Sequence, residues 1–309
     1  MAKSAGTHLF NAFRGGLIGT AEVVPGVSGG TVALIVGIYD RLIISAGHVV
    51  SGLRITATDL ARGRGAARAG AEFRRADWPV VLAALAGMAV AIVLAARLLA
   101  PAVENHPQYA YAVFFGLVLA GLWVPYRGSG RRWSPVHYLL ALAVGAAAFV
   151  LTGLPPTEVR PNPLIVVLAA AVAVSALVLP GVSGSFLLLT FGLYTATLNA
   201  VNDGDVAYLA TFAFGAFVGL ALFVKLLQWL LEHHHHVTLV VMTGLMAGSL
   251  RALWPWQPWE AEERTLLAPT GDVAATIGLM VVGAVIVASA LIAANVMQTR
   301  RAAATTVEA

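Results

Sequence analysis

The chain contains no cysteine, so disulfides, iron–sulfur clusters and thiolate metal sites are excluded. Charge is equally scarce. Asp, Glu, Lys and Arg make up 11% of the 309 residues, where a soluble domain carries about 25%. With 59% hydrophobic residues, this composition describes an integral membrane protein lying almost entirely within the bilayer. No small-residue cleavage site follows the first apolar stretch, which runs straight into Pro25, so a cleavable signal peptide is not expected. The net charge of +4 reads as a topology signal rather than a nucleic-acid footprint, because the arginines cluster in short connecting segments.

Against this apolar background one peptide occurs twice. Residues 24–30 are Val-Pro-Gly-Val-Ser-Gly-Gly, and residues 179–185 are Leu-Pro-Gly-Val-Ser-Gly-Ser. Each is followed by Gly-x-Tyr, so that Pro25 and Pro180, Gly37 and Gly192, and Tyr39 and Tyr194 all stand 155 residues apart. Proline removes a backbone donor and glycine relaxes the chain, so neither copy continues a helix. At membrane depth, non-helical backbone persists only where protein buries it or where it lines a wet cavity. A matched pair of such breaks points to a transporter binding site.

Apolar segments fall at 9–24, 30–50, 79–99, 108–125, 135–153, 163–179, 184–200, 207–231, 237–254 and 272–297. A span needs about 20 residues. Six segments qualify: 79–99, 108–125, 135–153, 207–231, 237–254 and 272–297. The other four form two pairs, each interrupted by the repeated peptide. Arg54, Arg62, Arg64, Arg68, Arg74 and Arg75 fall in 52–78, Arg127, Arg131 and Arg132 in 126–134, and Arg300 and Arg301 at the C-terminus. The alternate segments are acidic: Glu104, then Asp203 and Asp205, then Glu260, Glu262 and Glu263. If each broken pair enters and leaves on one side, every arginine-rich segment and both termini are cytoplasmic, as the positive-inside rule requires.

The expected fold is therefore an all-α polytopic membrane protein built as an inverted-topology repeat. Residues 1–153 supply a re-entrant hairpin at 9–50 and helices at 79–99, 108–125 and 135–153. Residues 154–309 supply a hairpin at 163–200 and helices at 207–231, 237–254 and 272–297. Gly116-Leu117 and Gly244-Leu245 extend the internal similarity at an offset of 128 (244 − 116). The shortfall from 155 matches the length of the arginine-rich segment 52–78. Inverted repeats with broken helices suit alternating-access carriers.

The breaks carry the candidate chemistry. Half-helices beginning at Ser28-Gly29-Gly30 and Ser183-Gly184-Ser185 would aim unpaired N–H groups and the positive end of a helix dipole into the break. With the serine hydroxyls, and Thr31 as a further donor, this suits phosphate or carboxylate. The alternative is a packing kink satisfied by water. Glu22, inside an apolar run, is a candidate proton relay, cation ligand or partner of a basic residue, and Arg14 two turns earlier is the structural alternative. Arg251 suits bidentate phosphate binding or simple snorkelling. Asp40-Arg41 reads as a local salt bridge. His233 to His236 read as a solvated run rather than a metal site, and Trp254, Trp256 and Trp259 as an interfacial belt.

These motifs resemble the bacterial polyprenyl-phosphate transporter family, formerly a membrane family of unknown function. The first signature is Gly-x-x-x-Gly-x-x-Glu-Val-Val-Pro-Gly-Val-Ser-Gly-Gly-Thr (15–31), followed by Gly-Ile-Tyr-Asp-Arg-Leu-Ile (37–43). The second is Ala-Leu-Val-Leu-Pro-Gly-Val-Ser-Gly-Ser-Phe (176–186), and the third Thr-Gly-Leu-Met-Ala-Gly-Ser-Leu-Arg-Ala-Leu-Trp-Pro-Trp (243–256). The resemblance covers most of 9–256. Glu22 stands where many relatives carry Asp.

The resemblance implies a cytoplasmic-membrane flippase rather than an enzyme. It would return undecaprenyl phosphate from the outer to the inner leaflet for cell-wall (peptidoglycan) synthesis. On this reading Pro25, Gly26, Val27, Ser28, Gly29, Gly30 and Thr31 bind the phosphate together with Pro180, Gly181, Val182, Ser183, Gly184 and Ser185. Arg251 and Arg14 add charge, and Glu22 couples transport to a proton or cation. No cofactor, metal or nucleic acid is implied; membrane lipid surrounds the chain, and a homodimer is a candidate assembly. Undecaprenyl-pyrophosphate phosphatases pair similar motifs, but the arginine of their second motif is replaced here by Gly184, and a histidine after the first is missing. A small-anion carrier fits the half-helix dipoles as well.

Overall fold

The computed structural model describes residues 5–22, 28–98, 103, 105–155, 161–258 and 265–307. Its regular structure is entirely helical. In chain order the helices are α1 (Ala5–Glu22), α2 (Gly29–Ile35), α3 (Tyr39–Ala61), α4 (Ala67–Arg75), α5 (Trp78–Leu98), α6 (Pro107–Gly121) and α7 (Trp123–Gly128). They continue as α8 (Pro135–Leu151), α9 (Pro163–Val178), α10 (Gly184–Thr190), α11 (Tyr194–Asp203), α12 (Val206–His233), α13 (His235–Ser249) and α14 (Val273–Val307), with a 3-10 turn at Leu250–Leu253. Start signals explain several boundaries. Pro107, Pro135 and Pro163 open their helices, where a missing N–H costs nothing. Asn162 and Asp205 cap α9 and α12 by accepting from Ile165 N at 2.9 Å and Tyr208 N at 3.0 Å.

Among the described residues, five helical stretches are long and apolar enough to cross a membrane: Trp78–Ala95, Pro107–Gly128, Val206–His233, His235–Leu253 and Val273–Ala293. Helices α2 and α3 meet at 119° and add a sixth if counted as one broken span. The expected span 135–153 is shorter than anticipated, because α8 stops after 17 residues at Leu151. The segment 52–78 also departs from its reading as a loop: α3 runs on to Ala61, and α4 folds back against it. Buried Asp59 receives Arg68 at 3.3 Å, and His48 Nδ1 lies 2.9 Å from Glu72 Oε2. That hydrogen bond from His48 holds the Glu72 carboxyl below its ordinary range.

Long helices in lipid cannot rely on the hydrophobic effect to associate, so small residues bring their backbones together. Helix α1 packs on α5 and α9 on α12, while α6 packs on α14 and α8 on α13. Glycine permits the approach at each seam. A Cβ at Gly87 would overlap Ala12 O, and one at Gly219 would overlap Ala171. A Cβ at Gly116 would overlap Met280 O, and one at Gly244 would lie 2.5 Å from Ala141 O. Gly116 and Gly244, paired by sequence, thus occupy the same kind of seam. Outward faces carry exposed Leu82, Val90, Leu142, Phe214, Leu222 and Val281, a girdle suited to lipid rather than water. The main core gathers Ile38, Tyr39, Leu227, Met242, Met246 and Leu253 around the first break.

Candidate functional site: two broken helices in contact

Where both copies of the repeated peptide are described, they fold alike. Helices α2 and α10 each have seven residues, and their N-caps Ser28 (φ −103, ψ 123) and Ser183 (φ −104, ψ 127) share one conformation. Each helix ends at a left-handed glycine, Gly37 at φ +73 and Gly192 at φ +68, a region open to residues without a Cβ. Tyr39 and Tyr194 then begin α3 and α11. Pro25, Gly26 and Val27 lie outside the described residues, as does the side chain of Ser185.

The copies also touch. The hydroxyl of Ser28 donates to Leu179 O at 3.0 Å and accepts from Thr31 N at 3.4 Å. The hydroxyl of Thr31 accepts from Gly181 N at 2.7 Å, and the phenol of Tyr39 donates to Val178 O at 2.8 Å. The last carbonyls of a helix have no partner within it; residues of the first copy serve two carbonyls at the end of α9. A Cβ at Gly30 would come within 2.9 Å of Val178 O, so glycine is required for this approach. Ser28, Thr31 and Tyr39 are 5%, 1% and 2% exposed. The first-copy hydroxyls expected to face an anion, those of Ser28 and Thr31, are therefore committed to the contact between the copies.

Glu22 has a specific partner. Its carboxylate accepts a hydrogen bond from Gly29 N–H at the start of α2, and a Cβ at Gly29 would overlap its Oε1. Arg14 is not that partner. It sits two turns back on α1, with its guanidinium 4.1 Å from the centre of the Phe10 ring. At the position matching Glu22 in the second copy stands Leu177, whose Cγ would lie 2.8 Å from a Cβ at Gly184. One copy thus carries its own carboxyl group at the helix start, and the other carries an aliphatic side chain.

Two cavities border the contact. One, about 200 Å³, is lined by Gly181, Val182 and Ser183 of the second copy, with apolar walls from Val144, Leu151 and Leu245. Ala252 reaches it from the 3-10 turn. Its neighbour Arg251 packs its guanidinium against Gly153, where a Cβ would overlap it, and 4.6 Å from the centre of the Phe149 ring. The other cavity, about 390 Å³, is the more polar of the two and is lined by Gly37, Tyr39, Asp40, Arg41, Pro125 and His235, with Leu34 and Leu239 among its apolar walls. Helix α13 connects the two. His235 and Leu239 face the polar cavity, Leu245 faces the apolar one, and Met242 and Met246 are buried along the same helix.

Two readings of the sequence change here and a third is refined. Arg41 pairs with Asp77 and not with its neighbour Asp40; the missed signal is that the charged pair after Gly-x-Tyr occurs only in the first copy, Tyr194 being followed by Thr195 and Ala196. His233 to His235 are exposed, as a solvated run would be, but they belong to the end of α12 and the start of α13 rather than to a loop. His233 stacks on Trp229, His235 lines the polar cavity, and His236 Nδ1 lies 3.0 Å from Ser129 O. Trp256 is 5% exposed and donates to Thr270 O at 3.0 Å, and Trp254 donates to Leu267 O at 3.0 Å. These two tryptophans pin the segment 265–270 instead of forming a lipid-facing belt; Trp259 lies outside the described residues.

A multi-pass helical protein with two broken helices in contact between cavities is a membrane transport protein in its architecture. The sequence profile of the undecaprenyl phosphate translocase-like family matches residues 18–270, and the chain belongs to that family. It is 36% identical over 258 residues to the polyprenyl-phosphate transporter of Vibrio cholerae serotype O1, covering 83% of this chain and 81% of that protein. It is 28% identical over 270 residues to the polyprenyl-phosphate transporter of Staphylococcus aureus, covering 80% of this chain and 87% of that one. No solved structure matches the chain.

Proposed function

We propose that the chain carries undecaprenyl phosphate across the cytoplasmic membrane, from outer to inner leaflet, and so recycles the carrier lipid for cell-wall synthesis. Two inverted halves, 1–153 and 154–309, alternate access around the repeated peptides, with both termini cytoplasmic. The names of the relatives support the substrate class. The mechanism rests on one observation: the first copy is sealed against the end of α9 while the second lines a cavity.

A phosphate monoester in hydrocarbon is prohibitively costly unless protein dipoles and charges replace its water. In the state seen, Ser183 on the cavity wall and Arg251, next in the chain to the cavity-lining Ala252, offer that replacement, while the apolar walls accept the first isoprene units. Glu22 neutralises the start of α2 as long as the first copy is closed. Opening the contact releases Ser28, Thr31 and Gly29 for the phosphate and frees Glu22 to take up a proton or cation, which couples the cycle to a gradient.

The test is leaflet-resolved measurement of polyprenyl phosphate in proteoliposomes, with and without pH and sodium gradients. Ser183→Ala and Arg251→Ala each lower the rate if the assignment is right; wild-type rates in both would refute it. Release of inorganic phosphate from polyprenyl pyrophosphate by the purified protein would instead establish the phosphatase reading.

A further inference from the structure

We propose that the polar cavity at the start of α3 is a second headgroup site, in which Arg41 binds the phosphate of the lipid at the end of α13 opposite Arg251. This rests on the transport reading above and assigns its inner-face station.

The cavity has the chemistry for an anion. Arg41 lies on its wall, and its present bond to Asp77 is at a wet rim, with side chains 45% and 26% exposed. Ion pairs of that kind are weakly held, whereas guanidinium and phosphate match as planar fork and paired oxygens. The Asp77 backbone N–H donates to Ser45 Oγ at 3.0 Å, so that residue stays anchored when its carboxylate is released. Gly37, at φ +73, has no atom within 4 Å of where a Cβ would be, leaving room for an anion to approach the backbone. Asp40 is the opposing charge in the cavity; it interacts with His235 across from it, and Arg14 lies near enough to Arg41 for their charges to interact.

The position completes a path. Arg251 follows the last residue of α13 by two, and His235 begins it. The 15 residues of α13 span about 22 Å, a large part of the roughly 30 Å hydrocarbon core. One arginine therefore stands near each end of the helix that links the cavities. Only the first copy has this charged cavity wall, since Thr195 and Ala196 follow Tyr194. The inverted halves would thus use different cations at the two faces.

The full chain in nanodiscs, titrated with a water-soluble short-chain polyprenyl phosphate and with inorganic phosphate, tests the site. Arg41→Gln should weaken binding about tenfold or more, as expected for a lost charge-assisted contact, and Arg41→Lys should recover part of it. Asp77→Asn, which frees Arg41, should leave binding unchanged or tighter. Wild-type binding in Arg41→Gln, with its thermal unfolding unchanged, overturns the site. So does an Asp77→Asn variant as defective as Arg41→Gln, because Arg41 would then act only through its ion pair. A wild-type chain that binds phosphate through Arg41 yet moves no lipid would refute the transport reading and leave this site standing.

Discussion

Tyr39→Phe isolates the contact between the two broken helices. The ring that fills the core remains and only the phenolic hydroxyl goes, so packing is preserved and the 2.8 Å bond to Val178 O is lost. A hydrogen bond contributes about 1 kcal/mol net, and stranding a buried acceptor costs about 1–3 kcal/mol. Each 1.4 kcal/mol is a factor of ten. Removing the bond should therefore move the equilibrium about fivefold to a hundredfold away from the state in which the first copy is sealed. The native chain has no cysteine, so a single Val182→Cys probe in the cavity wall can be labelled without background. A membrane-impermeant maleimide should modify that probe more slowly in the Tyr39→Phe background, because the state exposing the second copy is less populated. Thr31→Val, which removes the acceptor of Gly181 N at 2.7 Å, should act in the same direction. Because both bonds hold the same contact, the double variant should show a non-additive effect. Labelling rates unchanged in both single variants would refute the idea that these bonds hold a transport state.

Gly153→Ala places a methyl group where the Arg251 guanidinium now packs, and should lower phosphate affinity about tenfold without altering a charge; an isothermal titration reads it. Gly181→Ala must adopt φ +86 and brings its Cβ to 2.8 Å from Met246 Cα, costing about 1–3 kcal/mol and visible as a lower unfolding temperature in detergent. Glu22→Gln keeps an acceptor for Gly29 N–H but cannot ionise, so the fold should persist while transport loses its response to the coupling gradient; an intact response would remove Glu22 from that role. Glu72 has a depressed carboxyl in the folded state. Its contribution is complete above the ordinary glutamate range and is lost as pH falls through the folded value. Docking of α4 on α3 should therefore loosen on acidification, seen as faster cleavage by an acid-active protease, and Glu72→Gln should abolish that pH dependence.

The place of the two helix breaks could be read directly from residue order. The 155-residue repeat anticipated matching half-helix starts at Ser28 and Ser183, but not that each helix would stop after seven residues at a left-handed glycine instead of running through 30–50 and 184–200. Pro, Gly and Ser constrain the backbone within a few residues of themselves. The segment 52–78 was harder, because its arginines mask two helices whose stability comes from packing α4 on α3 through Asp59, His48 and Glu72. Likewise, nothing near Arg41 in the chain identifies Asp77, 36 residues away, as its partner.

Membrane residence, the helical class, the positions of the two breaks and the pairing of Gly116 with Gly244 all follow from composition, spacing and backbone chemistry. Those are local properties, set within a helical turn or by the thickness of hydrocarbon to be crossed. That Ser28 meets Leu179, 151 residues on, that Glu22 closes the start of α2 while Leu177 stands at the matching position, and that an arginine lies near either end of α13 emerged only when the helices packed. Such pairings depend on which backbones can approach one another across the whole chain. In lipid that is decided by shape and by unsatisfied carbonyls seeking donors, and neither is encoded in any one stretch of residues.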